Sequence, residues 1–276
     1  MTQERGQRFV PVRKALAALL ASVSWPVAVQ ALTVGQGQCI IFSHDADVTF
    51  GAASLVKLPV LICAAQMVEE RQMSWDQPIA VNVPPPHGNG LLEHVHAGHS
   101  WTLDELCIFM MGVSDNLACN QLIDHMGMTR INGVLADLGY HSTVVRRLMM
   151  DHVALARGVD NAVTAAETAD MLARLHAGTL VSPAASSAVL GYLAMNQLHD
   201  LLAWPLPGSV SLAGKTAGMP GLLLDAELIT VTPGGPAYVL CVFASGFERA
   251  LQAKRLMVDI SEVVYQAVSE KPAARS

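Results

Sequence analysis

Aromatic side chains are scarce, at 5% of the 276 residues, and no basic stripe runs through a chain whose net charge is −6. Together these exclude a base-stacking platform and a phosphate-tracking surface, so nucleic acid is not an expected partner. Charged residues make up only 14% of the chain, against 52% hydrophobic. Disordered chains have the reverse balance, so a sizeable core is expected. No Cys-x-x-Cys pair occurs among Cys39, Cys63, Cys107, Cys119 and Cys241. Most of these lie in apolar runs and read as buried, reduced thiols. There is no Gly-rich phosphate loop, no internal repeat and no low-complexity linker. Beyond the N-terminal region, no apolar run is long enough to span a bilayer.

The N-terminus has two readings. Arg5, Arg8, Arg13 and Lys14 precede an apolar stretch, and Val29-Gln30-Ala31 resembles a cleavage site, as in a signal peptide. Alternatively, Val12, Ala15, Leu16, Leu19, Leu20 and Val23 recur at helical spacing, Trp25-Pro26 ends the helix, and a strand over 27–32 follows. A turn at Gly35-Gln36-Gly37 then leads to a second strand over 38–43. The helix-and-hairpin reading is preferred, because cleavage would strip a sheet of its first strand. With it goes the expectation of a cytoplasmic protein rather than an exported one.

Further helices are expected over 54–71, from Thr102 behind a Thr102/Glu105 capping box, from Ser114 to about Gly127, over 129–138, over 164–177 and over 247–269. Strands are expected over 212–216, 226–232 and 237–244, the last two joined by Thr232-Pro233-Gly234-Gly235-Pro236. Strands lie at both ends and helices fill the middle. That order predicts a single α+β domain with a mainly antiparallel sheet completed by both termini. Its sheet lobe would take residues of about 10–58 and 205–270, and an inserted helical lobe about 59–204.

Three short motifs carry chemistry. Ser54-x-x-Lys57 opens a helix, where a three-residue spacing puts both side chains on one face. A serine hydroxyl is a weak nucleophile by itself. A lysine desolvated beside it loses its proton near neutral pH and can accept the serine's. Ser114-Asp115-Asn116 offers a hydroxyl to relay a proton to a leaving nitrogen and an amide to orient the lysine or the substrate. Lys215-Thr216-Ala217-Gly218, on a predicted strand, offers a cation and a hydroxyl suited to a substrate carboxylate. Each motif alone is weak, and their order and contexts together are specific.

Over nearly its whole length the chain resembles the class A β-lactamase-related, penicillin-recognising serine hydrolases. The matching stretches are 52–59, Gly90-Leu91-Leu92-Glu93-His94, 113–123, and Lys215-Thr216 with Pro220-Gly221 and Asp225. The resemblance implies the β-lactamase/transpeptidase-like fold, with Ser54 as the acylated nucleophile, Lys57 as its base partner and Ser114 as proton shuttle. It implies that Asn116 contacts substrate, that Lys215 and Thr216 hold a carboxylate, and that the N–H groups of Ser54 and Gly218 form an oxyanion hole. The expected partner is a small molecule or peptide with an amide or ester and a carboxylate.

Two departures stand out. Ala217 occupies a place that is usually glycine and crowds a strand that substrate approaches. In Arg146-Arg147-Leu148-Met149-Met150-Asp151-His152, the place of the family's water-activating glutamate falls on Met149, which cannot act as a base. Asp151 is the nearest carboxylate, read either as a substitute base or as a loop residue paired with Arg146 or Arg147. Acylation with slow deacylation is the expected consequence.

His87, His94, His96 and His99 cluster in sequence, but only Glu93 accompanies them as a further ligand, so no metal is expected. No cofactor is expected either. Met110, Met111, Met149 and Met150 read as core filling.

Overall fold

A computed structural model describes residues 7–35, 37–95 and 100–270. The N-terminal segment forms helix α1 (Val10–Ala21) and strand β1 (Val27–Val34), followed by β2 (Ile40–His44). The chain closes with β7 (Ser211–Met219), β8 (Leu222–Thr230), β9 (Ala237–Ser245) and α9 (Ala250–Ser269). These strands form a five-stranded sheet in the order β2-β1-β9-β8-β7, with every neighbour antiparallel. Both ends of the chain therefore build one sheet, with β1 hydrogen-bonded between β2 and β9.

Alternation along the strands sorts side chains into two cores. On β9, Val239, Cys241 and Phe243 join one cluster, and Tyr238, Leu240, Val242 and Ala244 join the other. The second cluster includes the inner faces of α1 and α9. The first receives α2 (Lys57–Glu69), α3 (Leu103–Gly112), α4 (Asn116–Met126), α5 (Met128–Asp137), α7 (Ala165–His176) and α8 (Pro183–Ala194). A strand buried on both faces reads as a continuous apolar run, which is why 237–244 gives no alternating pattern in sequence. The fold is α+β, as expected.

Several details differ from the sequence expectations. The helix expected over 54–71 is split into a 3-10 turn, Ala53–Val56, that feeds α2, and the chain leaves α2 through Arg71 at φ 58°. Strands β7 and β8 run longer than expected, because Pro220-Gly221 is itself a tight hairpin with Gly221 at φ 74°. Helix α8 and two small ladders escape the sequence reading: β3 (Phe50–Gly51) with β6 (Ala162–Val163), and β4 (Pro78–Ala80) with β5 (Ser100–Thr102). The expected capping box is present. Thr102 Oγ1 accepts the Glu105 N–H at 3.1 Å, and Glu105 accepts the Thr102 N–H at 2.8 Å. A short helix α6 (His152–Ala156) lies in the loop that precedes β6. Among the described residues, no helix is long and apolar enough to cross a membrane.

Candidate active site

Ser54 sits on the 3-10 turn that enters α2, just after Ala53 at φ 42°. Side chains three residues apart nearly eclipse on such a turn, so Lys57 lies directly behind Ser54. Lys57 Nζ is 3.1 Å from Ser54 Oγ, 3.0 Å from Ser114 Oγ, 2.8 Å from the Ser114 carbonyl and 2.8 Å from Asn116 Oδ1. Lys57 is completely buried. Burial pushes its ammonium down to about 8, against the opposing pull of Cys119 and Asp115.

The turn between α3 and α4 delivers the second motif. Ser114 is held at φ 57°, a conformation that costs a non-glycine residue about 1 kcal/mol or more and needs support from its surroundings. Asp115 supplies that support. Its carboxylate accepts the Ala118 N–H at 2.9 Å, capping α4, and the Leu91 and Leu92 N–H groups at 2.7 and 2.8 Å. The loop before the 3-10 turn Leu92–His94 is thereby fixed over the site, and the Asn116 N–H donates to the Asn89 carbonyl at 2.9 Å. Gly90, at φ 137°, lies where any Cβ would collide with the Asp115 carboxylate.

Strand β7, at the sheet edge, brings the third motif. Lys215 and Ala217 face the helices, and Thr216 points to the other side. Lys215 is buried, with Nζ donating to the Thr216 carbonyl at 2.6 Å. Burial, followed by the charge of Lys57, pushes Lys215 down to about 7, although Asp225 and Glu227 oppose this. Thr216 Oγ1 is 2.6 Å from the Leu198 carbonyl and 3.2 Å from Asp225 Oδ1. Ala217 is buried at the cleft floor. Gly218 lies where a Cβ would press on Leu223 at 3.0 Å.

These residues border a cleft of about 910 Å³ that includes Ser54, Ser114, Asn116, Thr216, Ala217 and Gly218. A smaller hollow of about 500 Å³ between α1 and α9 lies among none of them. Met149 and Met150 also line the cleft, rather than only filling the core as the sequence suggested. The reason is Asn120, one helical turn beyond Asn116. Its side chain accepts the Met149 N–H at 2.6 Å and donates to the Met149 carbonyl at 3.1 Å.

Asp151 is placed differently. Its carboxylate accepts the Ala154 N–H at 2.9 Å as the N-cap of α6, and the residue is not among those lining the cleft. The expected pairing of Asp151 with an arginine is not found. Arg147 is tied to Asp160, with Nε and Nη2 at 2.8 and 2.7 Å from Oδ1. Asp160 lies close to Asn161, whose side chain holds the Arg146 and Arg147 N–H groups.

Sequence reasoning missed Asn120, His199 and Glu227. Asn120 carried a usable signal, four residues after Asn116 on the same helical face. His199 and Glu227 carried none, since their pairing at 3.0 Å joins residues far apart in the chain. Among the described residues no group of His, Cys, Asp and Glu could hold a metal ion, and His96 and His99 lie outside those residues.

Solved proteins share this fold over nearly the whole chain. The β-lactamase from Sphaerobacter thermophilus DSM 20745 is 28% identical, with a TM-score of 0.82 over 95% of this chain and 98% of that one. A β-lactamase from Xanthomonas campestris pv. campestris str. ATCC 33913 is 22% identical, with a TM-score of 0.84 over 95% and 99%. PBP-A is 20% identical, with a TM-score of 0.82 over 94% and 96%. The latter two likenesses speak to the fold. Among curated proteins, none matches the chain. The sequence profile of the β-lactamase enzyme family matches residues 11–268. With that match over nearly the whole length, a fold shared with solved β-lactamases and a lysine buried behind Ser54, the chain belongs to the β-lactamase enzyme family.

Proposed function

We propose that the protein is a serine hydrolase that opens an amide or ester through an acyl-enzyme at Ser54, with β-lactams among its substrates and slow release of the acyl group. The observation that carries this reading is the position of Lys57 Nζ, 3.1 Å from Ser54 Oγ and buried. Neutral Lys57 takes the Ser54 proton as Oγ bonds to the substrate carbonyl carbon. The oxyanion is received by the Ser54 and Gly218 N–H groups, a stabilisation that typically matters most in acyl transfer. Ser114 Oγ, 3.0 Å from Lys57 Nζ, passes the proton on to the leaving nitrogen or oxygen as its bond to carbon breaks. Asn116 holds Lys57 through Oδ1.

Release requires water and a base, and general-base assistance typically contributes 10²–10⁴-fold. Met149, clamped by Asn120, presents a thioether to the cleft, and Asp151 is engaged in capping α6. A thioether at Met149 and a carboxylate at Asp151 already engaged by the Ala154 N–H both support slow release. The test is a time course by intact mass after mixing with excess benzylpenicillin and then removing it. The expected result is an adduct on the wild type that persists for minutes or longer, with an equal lifetime in Asp151→Asn. Rapid turnover in the wild type that Asp151→Asn abolishes would overturn slow release and make Asp151 the base.

A further inference from the structure

We propose that His199 and Glu227 form an ion pair that positions the segment 196–202 along β7, and with it the substrate-binding side of the cleft. The inference rests on acyl transfer at Ser54 and adds two positioning residues to that site.

The segment 196–202 lies outside every helix and strand, so side-chain ties decide its course. Leu198, His199, Asp200 and Leu201 line the cleft beside Thr216 and Ala217. Three ties reach the sheet. Thr216 Oγ1 donates to the Leu198 carbonyl at 2.6 Å, His199 Nδ1 lies 3.0 Å from Glu227 Oε1, and the Leu202 N–H donates to Asp225 Oδ2 at 2.9 Å. A fourth tie, Lys254 with Asp200, lies at the surface, where an ion pair contributes little.

Two of the three ties end on buried acids. Asp225 and Glu227 stand two residues apart on β8, on one face of the sheet, and both are fully buried. Glu227 is laid across Gly214, its register partner on β7, where any Cβ would collide with the carboxylate. A buried carboxyl group needs a cation beside it or a proton on it. Glu227 Oε2 has no hydrogen-bond partner among the described residues, so the contact with His199 is what holds this carboxylate.

The neighbouring groups divide the charge between the two acids. Lys215 faces the helices and donates to the Thr216 carbonyl. Lys254 is matched by Asp200, and burial pushes the Tyr238 hydroxyl on β9 up, which leaves it neutral. The hydrogen bond to Glu227 outweighs burial and raises His199 above the ordinary histidine value. Burial pushes Glu227 up, and His199 opposes it. Asp225 is pushed well up by burial and then by the charge of Glu227. Glu227 is therefore the acid that ionises, opposite His199, and Asp225 keeps its proton. Asp225 Oδ2 already accepts the Leu202 N–H, so that proton sits on Oδ1, 3.2 Å from Thr216 Oγ1.

Acylation by benzylpenicillin at varied concentration separates the apparent affinity from the limiting rate constant. His199→Ala is expected to weaken affinity about tenfold or more, as when a charged hydrogen bond is lost. The limiting rate constant should stay within about twofold, because Ser54, Lys57 and Ser114 stand on other elements. His199→Gln, whose amide can still donate to Glu227, should recover most of the lost affinity. In side-chain nitrogen NMR spectra, the histidine signal missing from His199→Gln identifies His199. It should titrate above the ordinary histidine value in the wild type, and about one pH unit or more lower in Glu227→Gln.

A folded His199→Ala with wild-type affinity, a loss confined to the rate constant, or a His199 that titrates alike in the wild type and Glu227→Gln overturns the inference and leaves acyl transfer at Ser54 standing. Should His199→Ala not fold, the titration of His199 decides. A wild type that forms no adduct with benzylpenicillin or p-nitrophenyl butanoate overturns acyl transfer, and the same titration still decides the pairing.

Discussion

Four oxygens surround Lys57 Nζ within 3.1 Å. An ammonium has three protons to donate, so one of these contacts has no proton from the lysine. The Ser114 carbonyl and Asn116 Oδ1 can only accept. The spare contact is therefore with a serine hydroxyl, which can turn its own proton toward the amine once Lys57 is neutral. With Lys57 pushed down to about 8 by burial, the neutral base is the minor form at pH 6 and the major form at pH 9. Acylation should rise roughly tenfold per pH unit below that value and level off above it. Stopped-flow acylation between pH 5.5 and 9.5 measures this, and a rate that falls as pH rises through 8 would contradict the role of Lys57. A second prediction concerns Met149. Met149→Glu puts a carboxylate at a cleft position fixed by Asn120 and should shorten the acyl-enzyme lifetime by about 10²-fold. An unchanged lifetime on chasing the adduct would show that the position lies out of reach of the water.

At the scale of elements, the site depends on small polar devices that hold loops in place. Asn120 makes both of its amide contacts to the Met149 main chain inside the protein. Asn120→Ala leaves a buried N–H and carbonyl without partners, at a cost of about 1–3 kcal/mol. It should also release Met149 and alter acylation. Thr102→Ala removes half of the α3 capping box far from Ser54 and should cost about 1 kcal/mol with acylation unchanged. Urea titration of both variants beside their acylation rates separates loop positioning from stability. A Thr102 variant that loses acylation while folded would contradict that separation.

The three motifs and the capping box were legible because their meaning is local: a three-residue spacing, a turn with a cap, a strand with a cation. The split at Ser54 was not legible, since a 3-10 turn and the first turn of an α-helix have the same residue spacing over so short a run. Helix α8 was hidden for another reason. Its sequence, Pro183-Ala184-Ala185-Ser186-Ser187-Ala188-Val189, has little apolar contrast between faces. Only Ser182 as N-cap, with Pro183 at the first position, announced it.

Across the whole molecule, the decisive feature is a sheet whose second strand comes from the N-terminus. Pairing of β1 with both β2 and β9 covers what would otherwise be an open edge at β9. An exposed apolar edge invites intermolecular pairing. A chain begun at residue 35, without α1 and β1, is expected to aggregate or lose cooperative unfolding by circular dichroism. A soluble, cooperative truncation would show that β1 is dispensable. The same architecture sets the limit of sequence reading. Which residues line the cleft depends on where the segment 197–201 crosses β7, and that crossing is held by contacts such as Thr216 to Leu198 and Leu202 N–H to Asp225. No spacing rule contains these. The wall of Met149, Met150 and Leu198 therefore emerged only from the folded chain.

The central claim is that Ser54 is acylated with Lys57 as its base. Peptide mapping by mass spectrometry after brief exposure to benzylpenicillin, on the wild type, Ser54→Ala and Lys57→Met, tests it most directly. The account predicts an adduct on the peptide containing Ser54 in the wild type, none in Ser54→Ala, and formation slowed by 10²-fold or more in Lys57→Met. An adduct on another residue, or equal labelling of Ser54→Ala, would contradict it.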